Sequence, residues 1–99
     1  MNIIDNGRLE VGDVVQHFKR ELLPPERMGS SEYLYSIQAL AYDANSGEEL
    51  IVYKALYNPY SVYVRPLKEF ISTVDKVKYP SINQVYRFEK LAPNYDKPL

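Results

Sequence analysis

The chain has 99 residues with 12 basic and 13 acidic side chains, and its formal net charge of −1 provides no positive field to attract nucleic acid or anionic lipid. It contains no cysteine, which excludes disulfides, thiolate metal sites and a cysteine nucleophile and fits a reducing cytoplasm. Ten tyrosines, beside three phenylalanines and no tryptophan, are typical of half-buried sheet surfaces, so we predict one mainly β domain.

The first third of the chain predicts a lead-in segment, one strand and a long loop. Residues 1–10 are mixed and polar, and they fit either a short strand or a loose terminus. Val11–Lys19 has the alternating pattern of a strand. Pro24-Pro25 and the run Gly29-Ser30-Ser31 then forbid a regular element, so residues 20–32 are predicted to be a loop.

The middle of the chain predicts consecutive hairpins. Tyr33–Asp43 and Glu48–Tyr57 have strand patterns and are joined by a turn that ends at Gly47. Ser61–Arg65 is the next predicted strand, and Pro66–Phe70 suits one helical turn because proline is favoured in the first turn of a helix. The alternation along these strands predicts five core-facing side chains: Leu50, Val52, Leu56, Val62 and Val64.

The last third predicts two shorter strands and a tail. Ile71–Val77 and Gln84–Leu91 have strand patterns, and residues 92–99, which contain two prolines, predict a frayed tail. A single β-rich domain is therefore expected over residues 11–91. Short strands separated by turn signals at this spacing predict a small SH3-like barrel or a strongly curled antiparallel sheet with one short helical turn.

Three blocks carry a resemblance to a known family. Gly12–Lys19 reads GDVVQHFK, Gly47–Tyr57 reads GEELIVYKALY and is followed by VYVRPL at residues 62–67, and Arg87–Leu91 reads RFEKL. In these blocks and their order the chain resembles DUF1653, a family of small bacterial proteins of unknown function. The resemblance implies a small curled β structure and no assigned activity. Relative to the family, residues 20–32 are an insertion, and Asp43 stands where histidine is frequent, which weakens the idea of a paired-histidine site.

His17 is the only histidine of the chain and the first candidate for a functional side chain. It would act as a general base or as a phosphate contact beside Lys19 and Arg65. Proton transfer needs a partner that orients the imidazole, and no carboxylate of the chain has a diagnostic spacing from it. The structural alternative is a histidine at a strand end whose ring packs and bonds to the backbone, and we favour this alternative.

Arg65 also has two interpretations. Its planar guanidinium suits an ion pair with a nearby carboxylate at the end of a strand, for which Glu48, Glu49 and Glu69 are available. The functional interpretation is an arginine that binds an anion at the mouth of the barrel, together with His17. We favour the structural ion pair.

The tyrosine-rich hairpin is the best candidate for a binding surface. Its residues would form an aromatic strip able to hold a proline-rich peptide or stacked bases: Tyr53, Tyr57, Tyr60, Tyr63 and Arg65. The structural alternative is cross-strand packing on one side of the sheet, which is the commoner role of such pairs.

No metal site and no cofactor site is predicted. The chain has one histidine and no cysteine, its carboxylates lack the spacing of a ligand loop, and its four isolated glycines form no phosphate-binding loop. The late basic residues are interrupted by Asp75 and Glu89, so we interpret them as a solvated face: Lys76, Lys78, Arg87 and Lys90.

The function that these features favour is a non-enzymatic interaction module that binds a protein or peptide through the tyrosine-rich hairpin or the Pro24-Pro25 loop. Catalysis is less favoured because no set of catalytic residues is recognisable. The alternative is a small enzyme, or a nucleotide- or anion-binding protein, that uses His17 and Arg65. Neither a signal peptide nor a membrane-spanning stretch is predicted. A monomer fits the sequence, and so does a homodimer formed through an open sheet edge.

Overall fold

The computed structural model describes residues 3–91, and their regular structure is mainly β. The seven strands are β1 Ile3–Ile4, β2 Leu9–Glu10, β3 Val14–His17, β4 Leu34–Tyr42, β5 Glu49–Ala55, β6 Val62–Pro66 and β7 Phe88–Lys90. The single α-helix within the described residues, α1, is one turn long at Leu67–Phe70. Three short 3-10 helices lie at Asp5–Gly7, Phe18–Leu22 and Pro25–Arg27.

Five strands form one antiparallel sheet in the order β6-β5-β4-β3-β7, and β1 pairs with β2 in a separate two-stranded sheet. Within the described residues the edge strands β6 and β7 do not pair with each other, so hydrogen bonding does not close the sheet into a barrel. The mainly β fold with one short helix is confirmed. The register between β4 and β5 shifts between Ile37 and Ala39, which is a bulge that re-aims the second half of β4.

The prediction for the core face of the β5-β6 hairpin is wrong. Val62 and Val64 are 58% and 59% exposed, whereas Ile51, Tyr53 and Ala55 are buried. Cross-strand partners share a face, and Val64 lies opposite the half-buried Val52 while Tyr63 lies opposite Tyr53. The inward face is therefore the one that carries the tyrosines and Arg65.

The core explains this choice of face. Phe70 of α1 and Phe88 of β7 stack with ring centroids 4.0 Å apart, and both rings contact Tyr53 edge-on. These aromatic rings fill the interior against the inward side of the sheet. The short β1-β2 ribbon adds Ile4 and Leu9 to the same core, so residues 3–10 are an integral part of the fold and not a loose terminus.

The segment after α1 is not the strand that its pattern predicts. Thr73 forms a single bridge with Tyr86, and Val77 is 93% exposed. The last strand is also shorter than predicted, because side chains bind the backbone before it starts. Glu89 Oε2 accepts from the N–H groups of Val85 and Tyr86, at 3.0 Å each, so these two N–H groups are not available to a β ladder.

The predicted loop over residues 20–32 contains one of the 3-10 helices and the end of another. Arg20 fastens it by donating to the carbonyl oxygens of Glu32 at 2.6 Å and Met28 at 2.9 Å. Glu21 ties the loop to a distant segment, since its carboxylate accepts from the N–H groups of Asn83 and Gln84 at 2.8 Å. The predicted tail over residues 92–99 lies outside the described residues. In residues 3–91 no helix has the length and apolar character needed to cross a membrane.

Candidate functional site

Two adjoining cavities lie at the inward side of the sheet and share His17, Lys19 and Arg65. The first, called the tyrosine pocket here, has a volume of about 260 Å³ and is completed by Tyr33, Tyr35, Tyr53, Tyr63 and Phe88. The second, called the cationic cleft, has a volume of about 360 Å³ and is completed by Phe18, Asp75, Lys78, Tyr79 and Arg87. The structure thus brings together the three residues that the sequence suggested as an anion site.

The sequence places these three side chains by local rules. His17 ends β3, and its ring caps the 3-10 helix that begins at Phe18, which positions Lys19 one residue further along. Arg65 lies in β6 just before Pro66, and strand alternation directs it to the same face as Tyr63. β3 and β6 are three steps apart in the sheet, yet residues of both line both cavities.

The His17 imidazole is held in one orientation. Its Nδ1 accepts from the backbone N–H of Lys19 at 3.1 Å, and its ring stacks on Phe18 at 4.4 Å and meets Phe88 edge-on at 5.0 Å. Burial lowers the pKa of His17 to about 4, and the nearby charges of Arg87, Arg65 and Lys19 add to the effect. The ring is therefore neutral near pH 7 with its proton on Nε2.

This arrangement makes His17 a hydrogen-bond donor. Its Nε2 forms no hydrogen bond within residues 3–91, so this N–H is free to donate to a ligand. No carboxylate in residues 3–91 contacts the imidazole, and its only lone pair is already used by Lys19. The geometry lacks the orienting partner that a general base requires.

Arg65 forms the structural ion pair that its sequence context allowed, and it also lines both cavities. Its Nε donates to the Tyr53 hydroxyl at 3.0 Å, and its Nη1 lies 3.5 Å from Glu69 Oε1 on α1. The guanidinium carbon also lies 5.9 Å from the centre of the Phe88 ring. These contacts fix the guanidinium at the boundary between the tyrosine pocket and the cationic cleft.

Three other cations of the cleft have no acidic partner among the described residues. Lys19, Lys78 and Arg87 are absent from the four ion pairs of residues 3–91, which are Arg8–Asp5, Arg27–Glu32, Arg65–Glu69 and Lys90–Asp13. Arg87 donates from Nε to Ser72 Oγ at 3.3 Å. Among residues 3–91, Asp75 is the one carboxylate lining the cleft, and its Oδ1 accepts from two backbone N–H groups, those of Val77 and Lys78. The cleft therefore carries an excess of positive charge.

The predicted tyrosine surface is divided between two environments. Tyr53 is only 4% exposed and lines the tyrosine pocket together with Tyr63, which is 43% exposed. Tyr57 packs against the core, and its hydroxyl lies 2.7 Å from that of Tyr35. Tyr60 is 56% exposed and lines neither cavity. The five predicted residues thus do not form one continuous exposed strip.

The paired hydroxyls of Tyr35 and Tyr57 stay protonated near neutral pH. Burial raises the pKa of Tyr35, and the hydrogen bond to Tyr57 raises it further. Burial also raises the pKa of Tyr57. Neither phenol can supply a phenolate to the adjoining cavities.

Sequence reasoning missed several residues of the site. Arg87 and Lys78 were assigned to a solvated basic face, but both line the cationic cleft. The rest of that predicted face is engaged elsewhere: Lys76 donates to the carbonyl oxygens of Ile82 and Gln84, and Lys90 lies 3.3 Å from Asp13. Tyr33 and Phe88 were also not predicted, although the block Arg87-Phe88 was a usable signal because it carries part of the family resemblance.

The described part of the chain contains no group of three His, Asp or Glu side chains that could hold a metal ion. A family model described as "Protein of unknown function (DUF1653)" matches residues 13–90, so the chain belongs to this family. The matched range contains every residue that lines the two cavities. No curated protein and no solved structure matches the chain.

Proposed function

We propose that this member of the family of unknown function is a non-enzymatic binding module that takes an anionic ligand in the cationic cleft. The observation that carries the proposal is the convergence of Lys19, Lys78 and Arg87, none of which has an acidic partner in residues 3–91, around the neutral donor His17. A bound anion would give all of these groups a partner. In a partly enclosed cleft such contacts are screened less than on an open surface.

Binding is favoured over catalysis by the state of His17. A general base works best with a pKa near the operating pH and with a free lone pair. The pKa of His17 is about 4, and its Nδ1 accepts from Lys19. The same constraints suit an anion site, where a fixed N–H donor costs little reorganisation when the ligand arrives.

The proposal joins the two sequence-based hypotheses. Tyr63 and Arg65 belong to the predicted binding surface, and Arg65 also belongs to the predicted anion site. Capture of an extended peptide on a tyrosine strip is less favoured, because Tyr53 is buried and Tyr60 lies outside both cavities.

We also infer that the sheet is strongly curled around the site, as in small SH3-like barrels. Arg65 of β6 lies 5.9 Å from the ring centre of Phe88 of β7, although these strands are the two edges of the sheet. In a flat sheet four steps of about 4.8 Å would separate the edges by about 19 Å. The short contact supports a curl that makes the two cavities concave.

The experiment is a titration of the intact domain with inorganic phosphate and pyrophosphate, followed by calorimetry and by backbone amide NMR. We expect saturable binding that weakens with salt and moves the amide signals of His17 and Lys19. Arg87→Gln should weaken pyrophosphate about tenfold, because one charge-assisted hydrogen bond is worth about 1.5–3 kcal/mol.

Lys54→Gln is the matched control, since it also removes one positive charge. Lys54 follows the inward-facing Tyr53 in β5, so it lies on the opposite face of the sheet. The affinity of this variant should stay within about twofold of the unmodified protein. The proposal fails if neither anion moves the cleft signals at millimolar concentration, or if the two variants weaken binding equally.

A further inference from the structure

The ligand class follows from the two cavities taken together, and the inference rests on the proposed function. We propose that the site binds a nucleoside monophosphate, with the phosphate in the cationic cleft and the base in the tyrosine pocket. The cavities share three lining residues and therefore adjoin, and the proposal places one molecule across both. Their volumes of about 260 and 360 Å³ together fall in the range of small-molecule sites.

The charge of the cleft selects a phosphate monoester. Lys19, Lys78 and Arg87 contribute three positive charges without acidic partners in residues 3–91, and Asp75 contributes one negative charge. Arg65 is balanced by Glu69. The surplus of two positive charges matches a phosphate monoester, which carries about −1.5 to −2 at pH 7. A carboxylate would leave part of this charge uncompensated, and a triphosphate would exceed it.

The walls of the tyrosine pocket suit a flat ring. Tyr63 is 43% exposed and lines the pocket, so one side of its ring is accessible to a ligand. Bases stack on such rings with little dependence on base identity. The inner hydroxyls are engaged in part, since Tyr35 bonds to Tyr57 and Tyr53 accepts from Arg65. We therefore expect affinity from stacking and only weak discrimination among the bases.

A strained residue stands at the same pocket. Tyr33 has φ +68°, a left-handed conformation that is rare for a bulky side chain. Its carbonyl accepts from the backbone N–H of His17 at 3.0 Å, and its ring lies 6.0 Å from the imidazole and lines the pocket. Backbone strain of this kind persists only where the surrounding structure holds the residue in place, and such residues cluster at ligand sites. Tyr33 thus provides a second aromatic wall beside His17.

The test compares adenosine monophosphate with ribose 5-phosphate and inorganic phosphate by calorimetry on the intact domain. We expect adenosine monophosphate to bind at least about fivefold more tightly than ribose 5-phosphate, because stacking of one base on an aromatic ring is worth at least this factor. Guanosine and cytidine monophosphates should lie within about tenfold of it.

Tyr63→Leu should abolish the higher affinity for adenosine monophosphate over ribose 5-phosphate. Its affinity for ribose 5-phosphate should stay within about twofold of that of the unmodified protein. Tyr60→Leu is the matched control, since Tyr60 belongs to the same hairpin region, is exposed and lines neither cavity. Equal affinities for adenosine monophosphate and ribose 5-phosphate, or equal effects of the two variants, would overturn this inference and leave the anion-binding module intact. Absence of binding by every phosphate would overturn both.

Discussion

Lowering the pH from 7 to 5 should destabilise the domain, because the unfolded chain then takes up a proton that His17 does not bind in the folded state. The pKa of His17 is about 4 in the folded protein and 6.5 in an unperturbed chain. Between these values the unfolded state binds more protons, so the free energy of unfolding falls as the pH falls. The full stability is present above pH 6.5, and the loss is complete near pH 4.

The size of the effect follows from the shift. One pKa unit corresponds to about 1.4 kcal/mol, and the pH interval from 6.5 down to 5 covers about 1.5 units, which sets a ceiling of about 2 kcal/mol. His17 lines two cavities that water can enter, so part of the electrostatic contribution is screened. We therefore expect about 1 kcal/mol.

The assay is urea unfolding at pH 7 and pH 5, followed by far-ultraviolet circular dichroism. His17→Asn is the matched control, because Asn Oδ1 can accept from the Lys19 N–H in place of Nδ1 but does not titrate. The unmodified protein should lose about 1 kcal/mol more than the variant between the two pH values. An equal loss in both proteins would refute the reasoning, and so would an imidazole that titrates near pH 6.5 in the folded state.

Two further predictions test the packing by the same urea assay at pH 7. Val62→Thr and Val64→Thr should each change the free energy of unfolding by less than about 0.5 kcal/mol, while Ile51→Ala should cost about 2–5 kcal/mol, since only Ile51 is buried. If the two valine variants lost more stability than Ile51→Ala, the core would lie on the other face of the β5-β6 hairpin. Tyr57→Phe should cost about 1–3 kcal/mol by leaving the Tyr35 hydroxyl without its partner. Replacing both Tyr35 and Tyr57 by Phe should recover part of this loss. A double variant less stable than Tyr57→Phe would contradict the prediction.

Much of the fold was predictable because its signals are local. β3 to β6 and α1 lie within the predicted segments or within one residue of them, since alternation and turn residues act over a few positions. The core face of the β5-β6 hairpin was not predictable in this way, because both faces of the hairpin carry apolar side chains. The decision depends on Phe70 and Phe88, which stack on the Tyr53 side and come from later in the chain.

The site was predictable only in part, for a related reason. His17, Lys19 and Arg65 stood out by residue type, so their proximity was a reasonable hypothesis. Arg87 was set aside because Glu89 lies two positions away in the sequence. In the structure the Glu89 carboxylate accepts from the N–H groups at 85 and 86 and forms no ion pair with Arg87. Counting charges along the sequence cannot show which carboxylates the backbone has already bound.

The same arrangement explains why a binding role fits the cleft better than a structural one. Like charges held together oppose folding, and Arg87, Arg65 and Lys19 lie near enough to His17 to help lower its pKa. Asp75 supplies one negative charge to the cleft, which leaves two of the three cations without acidic partners in residues 3–91 uncompensated. A bound phosphate supplies the missing negative charge only while it is present, and it then stabilises the folded state in proportion to its concentration and affinity. Under the proposed function, a cleft whose cations have no acidic partner in residues 3–91 couples the stability of the domain to its ligand.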